Sequence, residues 1–359
     1  MSALYTESRG GVLRCWSAAP FRGTGRRASV RAVARAIPRE RFRIGADENG
    51  LGPRLGPMIV TAVLAEATPE GHVAASRKAR GKLGERLGDS KALVAHGDVA
   101  LGEAWTRALV ERGCGRPEAP RAPRTVDDLV HAVSFDPREV LRAPCPEGGV
   151  EHCWSGGDGA LSADEAQVRT LHADLEKLES KGLRVIGVRS KIVCTKRLND
   201  ALAEGRSRFA VDLHAMEDLI LGFRAAVDGD VHAICGKVGG LGNYEAAFGP
   251  LNGRLCSVIE EKRASSRYYF PGVGEIAFVM DADDGDLLVS LASLVGKYLR
   301  EVLMAKIVAH YRAAGVEVPE ASGYHDPVTA RFVEATSLVR SARAFPDECF
   351  ERRSLGKAS

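Results

Sequence analysis

The chain has 359 residues, enough to bury a substantial core in one large domain or two smaller ones. Hydrophobic residues make up 45% and charged residues 27%, and the net charge of +3 is too small to argue by itself for a nucleic-acid partner. No run of about 18 apolar residues is present, so no helix is expected to span a membrane. The eight cysteines are scattered without a Cys-x-x-Cys pair, which reads as free thiols in a reducing cytoplasm.

Residues 1 to about 40 are rich in arginine, centred on Arg26-Arg27, with Glu7 and Glu40 as the acids. Apolar periodicity is weak, so a disordered basic extension is expected; a transit peptide or a nucleic-acid-binding arm would share that composition. Phe42 and Ile44 then alternate with Arg41 and Arg43, the period of a strand. The strand meets Asp47-Glu48 and a loop, Gly50-Leu51-Gly52-Pro53 to Gly56-Pro57. Met58 to Leu64, β-branched and apolar, reads as a second strand. A carboxylate pair at a strand end suits hard divalent cations, which prefer oxygen donors. Glycines beside it let backbone amides approach a phosphate that a side chain would block. The plain alternative is a tight turn bearing surface acids.

In Asp89-Ser90-Lys91, Ser90 is placed to cap a helix and Lys91 to face a phosphate. Residues 113–160 shift in composition toward Gly, Pro and Arg, as a loop-rich insertion would. Cys114, Cys145, His152 and Cys153 fall there, but an adjacent His-Cys pair is poor spacing for tetrahedral zinc. Ser162-Ala163-Asp164-Glu165 reads as a capping box before a helix carrying Val168, Leu171, Leu175 and Leu178. Arg184 to Cys194 reads as a strand, and Phe209, Leu213, Met216, Leu219 and Ile220 as one face of a helix. Val231 to Cys235 is a short buried strand leading into Gly236-Lys237. Glu275 to Met280 is another, followed by Asp281-Ala282-Asp283-Asp284-Gly285-Asp286 and a long helix from Val289. An EF-hand fails at its twelfth position, which is Ala292 and not glutamate; a solvated acidic turn is the alternative. Thr329 begins the last expected helix. Alternating strands and helices predict an α/β layered fold.

Four of these pieces occur in an order that resembles the type-2 ribonucleases H (ribonuclease HII and its relatives), which cut RNA strands paired to DNA. They are Gly45-x-Asp47-Glu48-x-Gly50-x-Gly52-Pro53, Asp89-Ser90-Lys91, Asp283 placed fourteen residues before Lys297, and Gly323-Tyr324. The resemblance covers roughly residues 41–345 and leaves 346–359 as a C-terminal tail. It implies an RNase H-like fold, a mixed central sheet flanked by helices, with a long insertion at 113–160. It also implies two Mg2+ or Mn2+ ions about 4 Å apart, held by Asp47, Glu48 and Asp283. Glu48 would in addition sense the ribose 2′-hydroxyl, the group that separates RNA from DNA. Gly50, Leu51, Gly52, Lys91 and Tyr324 would hold the substrate, an RNA–DNA hybrid or ribonucleotide-containing duplex. No protein partner is indicated.

The chain also departs from that family. Its members carry a further metal-binding aspartate near the end of the strand that here finishes at Cys235-Gly236, neither a good Mg2+ ligand. Lys237 is placed to fill the vacated space with positive charge, and Lys297 and Glu301 are auxiliary candidates on the long helix. Leu51 stands where the family has a basic residue, Asp281 where it tends to have lysine, and the ending Arg343-Ala344-Phe345 lacks the family's histidine. Two outcomes follow: a metal-dependent endoribonuclease working with three carboxylates, or a nucleic-acid-binding protein of that fold with impaired catalysis.

Overall fold

In the computed structural model, which describes residues 38–154, 159–239 and 241–353, β1 (Phe42–Asn49) is the strand around which the rest is laid out. Phe42, Ile44 and Ala46 are buried on one face, while Arg43, Gly45, Asp47 and Asn49 alternate onto the other. β2 (Met58–Ala67) returns antiparallel to β1, pairing Phe42 with Glu66 and Asn49 with Ile59. The acids therefore belong to β1 itself, because its ladder to β2 continues past them. Helices α1 (Pro69–Ala75), α2 (Ser90–Leu93), α3 (Ala100–Glu111), α4 (Val126–Val133), α5 (Arg138–Arg142), α6 (Gly149–Trp154) and α7 (Glu165–Glu179) come next. Then follow β3 (Leu183–Val193), α8 (Thr195–Ala203), α9 (Arg208–Ala225) and β4 (Val231–Gly236). β5 (Ser257–Glu261), β6 (Ser265–Phe270) and β7 (Gly274–Val279) complete the strands. α10 (Ala282–Gly285), α11 (Leu287–Ala313), α12 (Pro327–Ala335), α13 (Ser337–Ala342) and α14 (Asp347–Phe350) close the described chain.

The sheet runs β3-β2-β1-β4-β7-β6-β5. β1, β4 and β7 are parallel, and the pairs outside them are antiparallel. This is the mixed central sheet flanked by helices that the sequence led us to expect. On one face α11 packs with α3 and α7, burying Trp105, Leu171, Leu291, Val295 and Tyr298. On the other, α9 buries Leu213, Met216 and Ile220 against Ile44, Val60 and Ala233. Each such large apolar side chain contributes about 1.5–3 kcal/mol when fully buried. A third cluster joins Leu55, Ile307, Tyr311, Phe332 and Phe350, so the C-terminal helices pack on the far end of α11.

α11 lies unusually close to β1. A Cβ added to Gly45 would stand 2.4 Å from the backbone of Leu288 and Val289, so only glycine admits the helix there. From that point helix and strand keep step: Ser293 lies against Asp47, Gly296 beside Asn49, and Arg300 under Gly50. The Asn49 amide donates to the Ser293 carbonyl at 3.1 Å.

Several local expectations change. α2 is capped by Asp89, whose carboxylate accepts from the Lys91 amide, and Ser90 instead meets Ser293, Oγ to Oγ at 2.9 Å. α7 is capped by Asp164; Ser162 donates its amide and hydroxyl to the buried Glu103, which is why no capping box forms. Among its described residues the Gly-, Pro- and Arg-rich stretch 113–160 contains three short helices, the first opened by a true capping box of Thr125 and Asp128. α12 is followed by α13 and α14, so the helix at Thr329 is not the last. The basic extension falls, through residue 37, outside the described residues. No described helix is long and apolar enough to cross a membrane.

Candidate functional site

Asp47 and Glu48 end the central strand half-buried, and Asp283 is held half-buried in α10 at the start of α11. The three share one electrostatic neighbourhood. Burial pushes Asp47 well above the usual carboxylate range, reinforced by the charges of Glu48 and Asp283 and opposed by the Ser293 hydroxyl. Burial also lifts Glu48 to about 7; the Lys91 ammonium pulls it down and Asp283 pushes it up. Lys91, read from the sequence as a residue facing a phosphate, lies where its charge bears on Glu48. The Ser290 hydroxyl donates to the Asp283 carbonyl and fixes the acidic turn on α11. Of the neighbouring acids, Asp284 pairs with Lys78, while Asp286 caps α11 and pairs with the buried Arg43.

The loop after β1 is pinned from two sides. Arg352, beyond α14, donates from Nη1 to the Gly50 carbonyl at 2.6 Å and from Nε to the Gly56 carbonyl at 2.8 Å. Arg300 of α11 donates from Nη2 to the carbonyls of Leu55 and Ser322 at 3.2 and 3.1 Å. The amides of Arg54 and Leu55 reach the Gly323 carbonyl, and Arg54 and Glu351 form a two-bonded ion pair. Both arginines are buried, yet Arg300 keeps Nε and Nη1, and Arg352 keeps Nη2, without a hydrogen-bond partner. Gly50 has a φ of +85°, Leu51 is half-buried on the α9 side, and the Gly52 Cα faces open space. Tyr324 is 40% exposed, its ring 5.4 Å from the Arg300 guanidinium and 5.8 Å from the Lys297 ammonium.

Two auxiliary candidates are engaged elsewhere. Lys237 donates to the Lys262 carbonyl at 2.9 Å and faces Ser266, so it is drawn to β5 and β6. Glu301 is buried between Lys297, at 2.6 Å, and His96, at 2.9 Å, which hold its carboxyl below the usual range. The thiols also sort differently from their spacing. Cys114 lies apart, donating to the Val185 carbonyl, whereas Cys145 and Cys153 line a small cavity with Cys194 and Cys349. Every described cysteine is free.

Sequence reasoning missed Asp212. It lies on α9, fully buried, with neither carboxylate oxygen hydrogen-bonded, and its pKa is driven well up by burial and by the charges of Glu48 and Asp47. The signal was present: Asp212 precedes Met216 by one turn and Leu219 by two, on the apolar stripe of the helix.

Among the described residues no three histidine, cysteine, aspartate or glutamate side chains stand close enough to enclose an ion as they are. The donor set nonetheless fits a hard divalent cation in kind: carboxylate oxygens only, two of them orphaned on Asp212.

No protein-family model matches the chain, and no curated protein matches it. Solved structures resemble it in chain course. The ribonuclease HII of Archaeoglobus fulgidus in its complex with PCNA is 15% identical with a TM-score of 0.37, over 89% of this chain and 96% of that one. Ribonuclease H2 of Pyrococcus horikoshii is 12% identical with a TM-score of 0.39, over 86% and 92%. Bst-RNase HIII in complex with Mn2+ is 13% identical with a TM-score of 0.37, over 88% and 67%. A likeness at this level assigns no activity.

Proposed function

We propose that the chain is a divalent-metal-dependent endoribonuclease that cleaves the RNA strand of an RNA–DNA duplex. The observation that carries this reading is the juxtaposition, at one end of β1, of the acids Asp47, Glu48 and Asp283 with a glycine loop seated on two buried arginines. In it, Asp47, Glu48 and Asp283 hold the cation. A bound divalent cation neutralises phosphate charge and lowers the pKa of a water. The chain's own groups bind and orient the nucleic acid. The glycine loop presents its open side at Gly52, and the positive charges of the buried Arg300 and Arg352 that hold the loop favour an anion there. Lys91 opposes the rise of the Glu48 pKa and supplies a second cation for the backbone. The exposed face of Tyr324, flanked by Arg300 and Lys297, offers a stacking surface for a sugar or base.

The test is a labelled hybrid duplex incubated with wild type, Asp47→Asn and Asp283→Asn in Mn2+ and in Mg2+. The expected result is cleavage of the RNA strand by wild type, stronger in Mn2+, and none by either variant. Cleavage that persists in both variants, or an absence of cleavage by wild type in either metal, refutes the reading.

A further inference from the structure

We propose that Asp212 takes the place of the strand-end aspartate that the chain lacks, and that it joins Asp47, Glu48 and Asp283 in holding a divalent cation. This rests on the metal-dependent reading above and adds a ligand contributed by a helix of the opposite layer.

Three observations carry it. First, Asp212 is 0% exposed and both of its oxygens lack any hydrogen-bond partner. An orphaned buried carboxylate costs a fold several kcal/mol unless a proton or a cation neutralises it. No structural contact in the described chain offsets that cost, so the group is not there to hold α9 in place. Second, the charges that bear on Asp212 are those of Glu48 first and Asp47 next, so the carboxylate shares the neighbourhood of the end of β1. Even-numbered residues of β1 share the α9 face, and Glu48 is the last of these. Third, Asp212 is the charge that bears most on the Cys235 thiol. Cys235 pairs with Ala46 across the β1–β4 ladder, one residue before Asp47. The helix thus delivers a carboxylate to the place where the strand has lost one. Gly236 completes the arrangement, since a Cβ there would stand 2.7 Å from Asp47 Oδ1. A side chain at Gly236 would occupy the room that the Asp47 carboxylate takes.

The experiment uses the full chain as wild type, Asp212→Asn and Asp212→Glu, with Mn2+ alone as the probe. Thermal midpoints are measured in chelator and in millimolar MnCl2, and free Mn2+ is counted by electron paramagnetic resonance. In chelator the Asn variant is expected to melt at or above wild type, because a buried carboxyl without a hydrogen-bond partner has been replaced by an amide of the same shape that cannot ionise. In Mn2+ wild type is expected to gain stability, while the Asn variant gains less and its Mn2+ affinity falls about tenfold, equal to about 1.4 kcal/mol. Asp212→Glu should keep part of the affinity. Equal Mn2+ uptake by wild type and Asp212→Asn overturns Asp212 as a ligand while leaving the nuclease reading intact. No uptake by wild type overturns both. An Asn variant that melts well below wild type in chelator, where Asp212→Glu does not, marks Asp212 as a structural ion and overturns the proposal on its own.

Discussion

Gly236 leaves beside Asp47 a space that a single methyl group would close: its Cβ would lie 2.7 Å from Asp47 Oδ1. The atom it would strike is the end of a side chain, so the carboxylate would turn aside and the strand would remain. Gly236→Ala should therefore fold with a nearly unchanged thermal midpoint. Its Mn2+ affinity and its cleavage of a hybrid should both fall about tenfold or more. Calorimetric titration with Mn2+, set against the melting curve, separates this displacement from general damage.

Stability without metal should depend on pH in two opposed ways. Glu48 binds its proton more tightly in the folded chain, at about 7 against an ordinary 4.5, and Asp47 and Asp212 are shifted in the same direction. Wherever the folded state holds more protons, stability falls as pH rises. Histidines act the other way. His152, pushed to about 3, and His72, together with the half-buried His131 and His310, also lowered, favour the folded state once pH exceeds about 6.5. Above about 6.5 the histidines are neutral in both states, and the acids set the slope. Denaturant midpoints should decline from about pH 6.5 to pH 8 in chelator, and Glu48→Gln should flatten that decline. A midpoint that rises across this interval contradicts the assignment.

Lys91 tunes Glu48 without touching the fold's core. Its ammonium lowers the Glu48 pKa, so Lys91→Met should raise it. If Glu48 must be ionised for cleavage, the acid limb of the pH–rate profile moves to higher pH in this variant. A parallel profile of reduced height would mean that Lys91 only binds substrate.

The glycine loop owes its shape to a residue near the other end of the chain. Arg352→Met keeps a long apolar stem but removes the bonds to the Gly50 and Gly56 carbonyls. Charge-assisted hydrogen bonds contribute roughly 1.5–3 kcal/mol each. Amides between Gly50 and Gly56 should exchange with solvent at least tenfold faster, while the β1–β2 ladder stays protected. Uniform acceleration across the sheet would show instead that Arg352 supports the whole fold.

Much of this was legible in the sequence because it rests on local patterns. The alternation at Phe42 and Ile44, the apolar run from Met58 and the strand from Val231 all appear as strands, although the first continues through the acids to Asn49 and the second to Ala67. Asp47 and Glu48 were readable as candidates from residue type at a strand end, and Lys91 and Asp283 through the resemblance to the type-2 ribonucleases H. What stayed hidden depends on distant partners. The capping at Ser162 lost out to Glu103, almost sixty residues earlier, and Lys237 found a carbonyl on the β5–β6 side. That hairpin was itself missed, since β5 is largely exposed and carries no buried alternation. Asp212 was passed over because a carboxylate within an apolar helical stripe looks like noise until the partnerless oxygens are seen. The clamp by Arg352 spans about three hundred residues, which no local pattern encodes.

The contact between Gly45 and the backbone of α11 has a consequence for how this protein can vary. One rigid rod meets the strand at Gly45, then touches Asp47, Asn49 and the glycine loop in succession. Cation and nucleic acid would engage different atoms, yet both sets are indexed to the same rod. A bulkier residue at Gly45 would lift the helix and detune both together. Variants selected for altered metal preference should therefore arise at the rim, on Lys91, Gly236 or α9, and seldom along the seam where helix and strand touch.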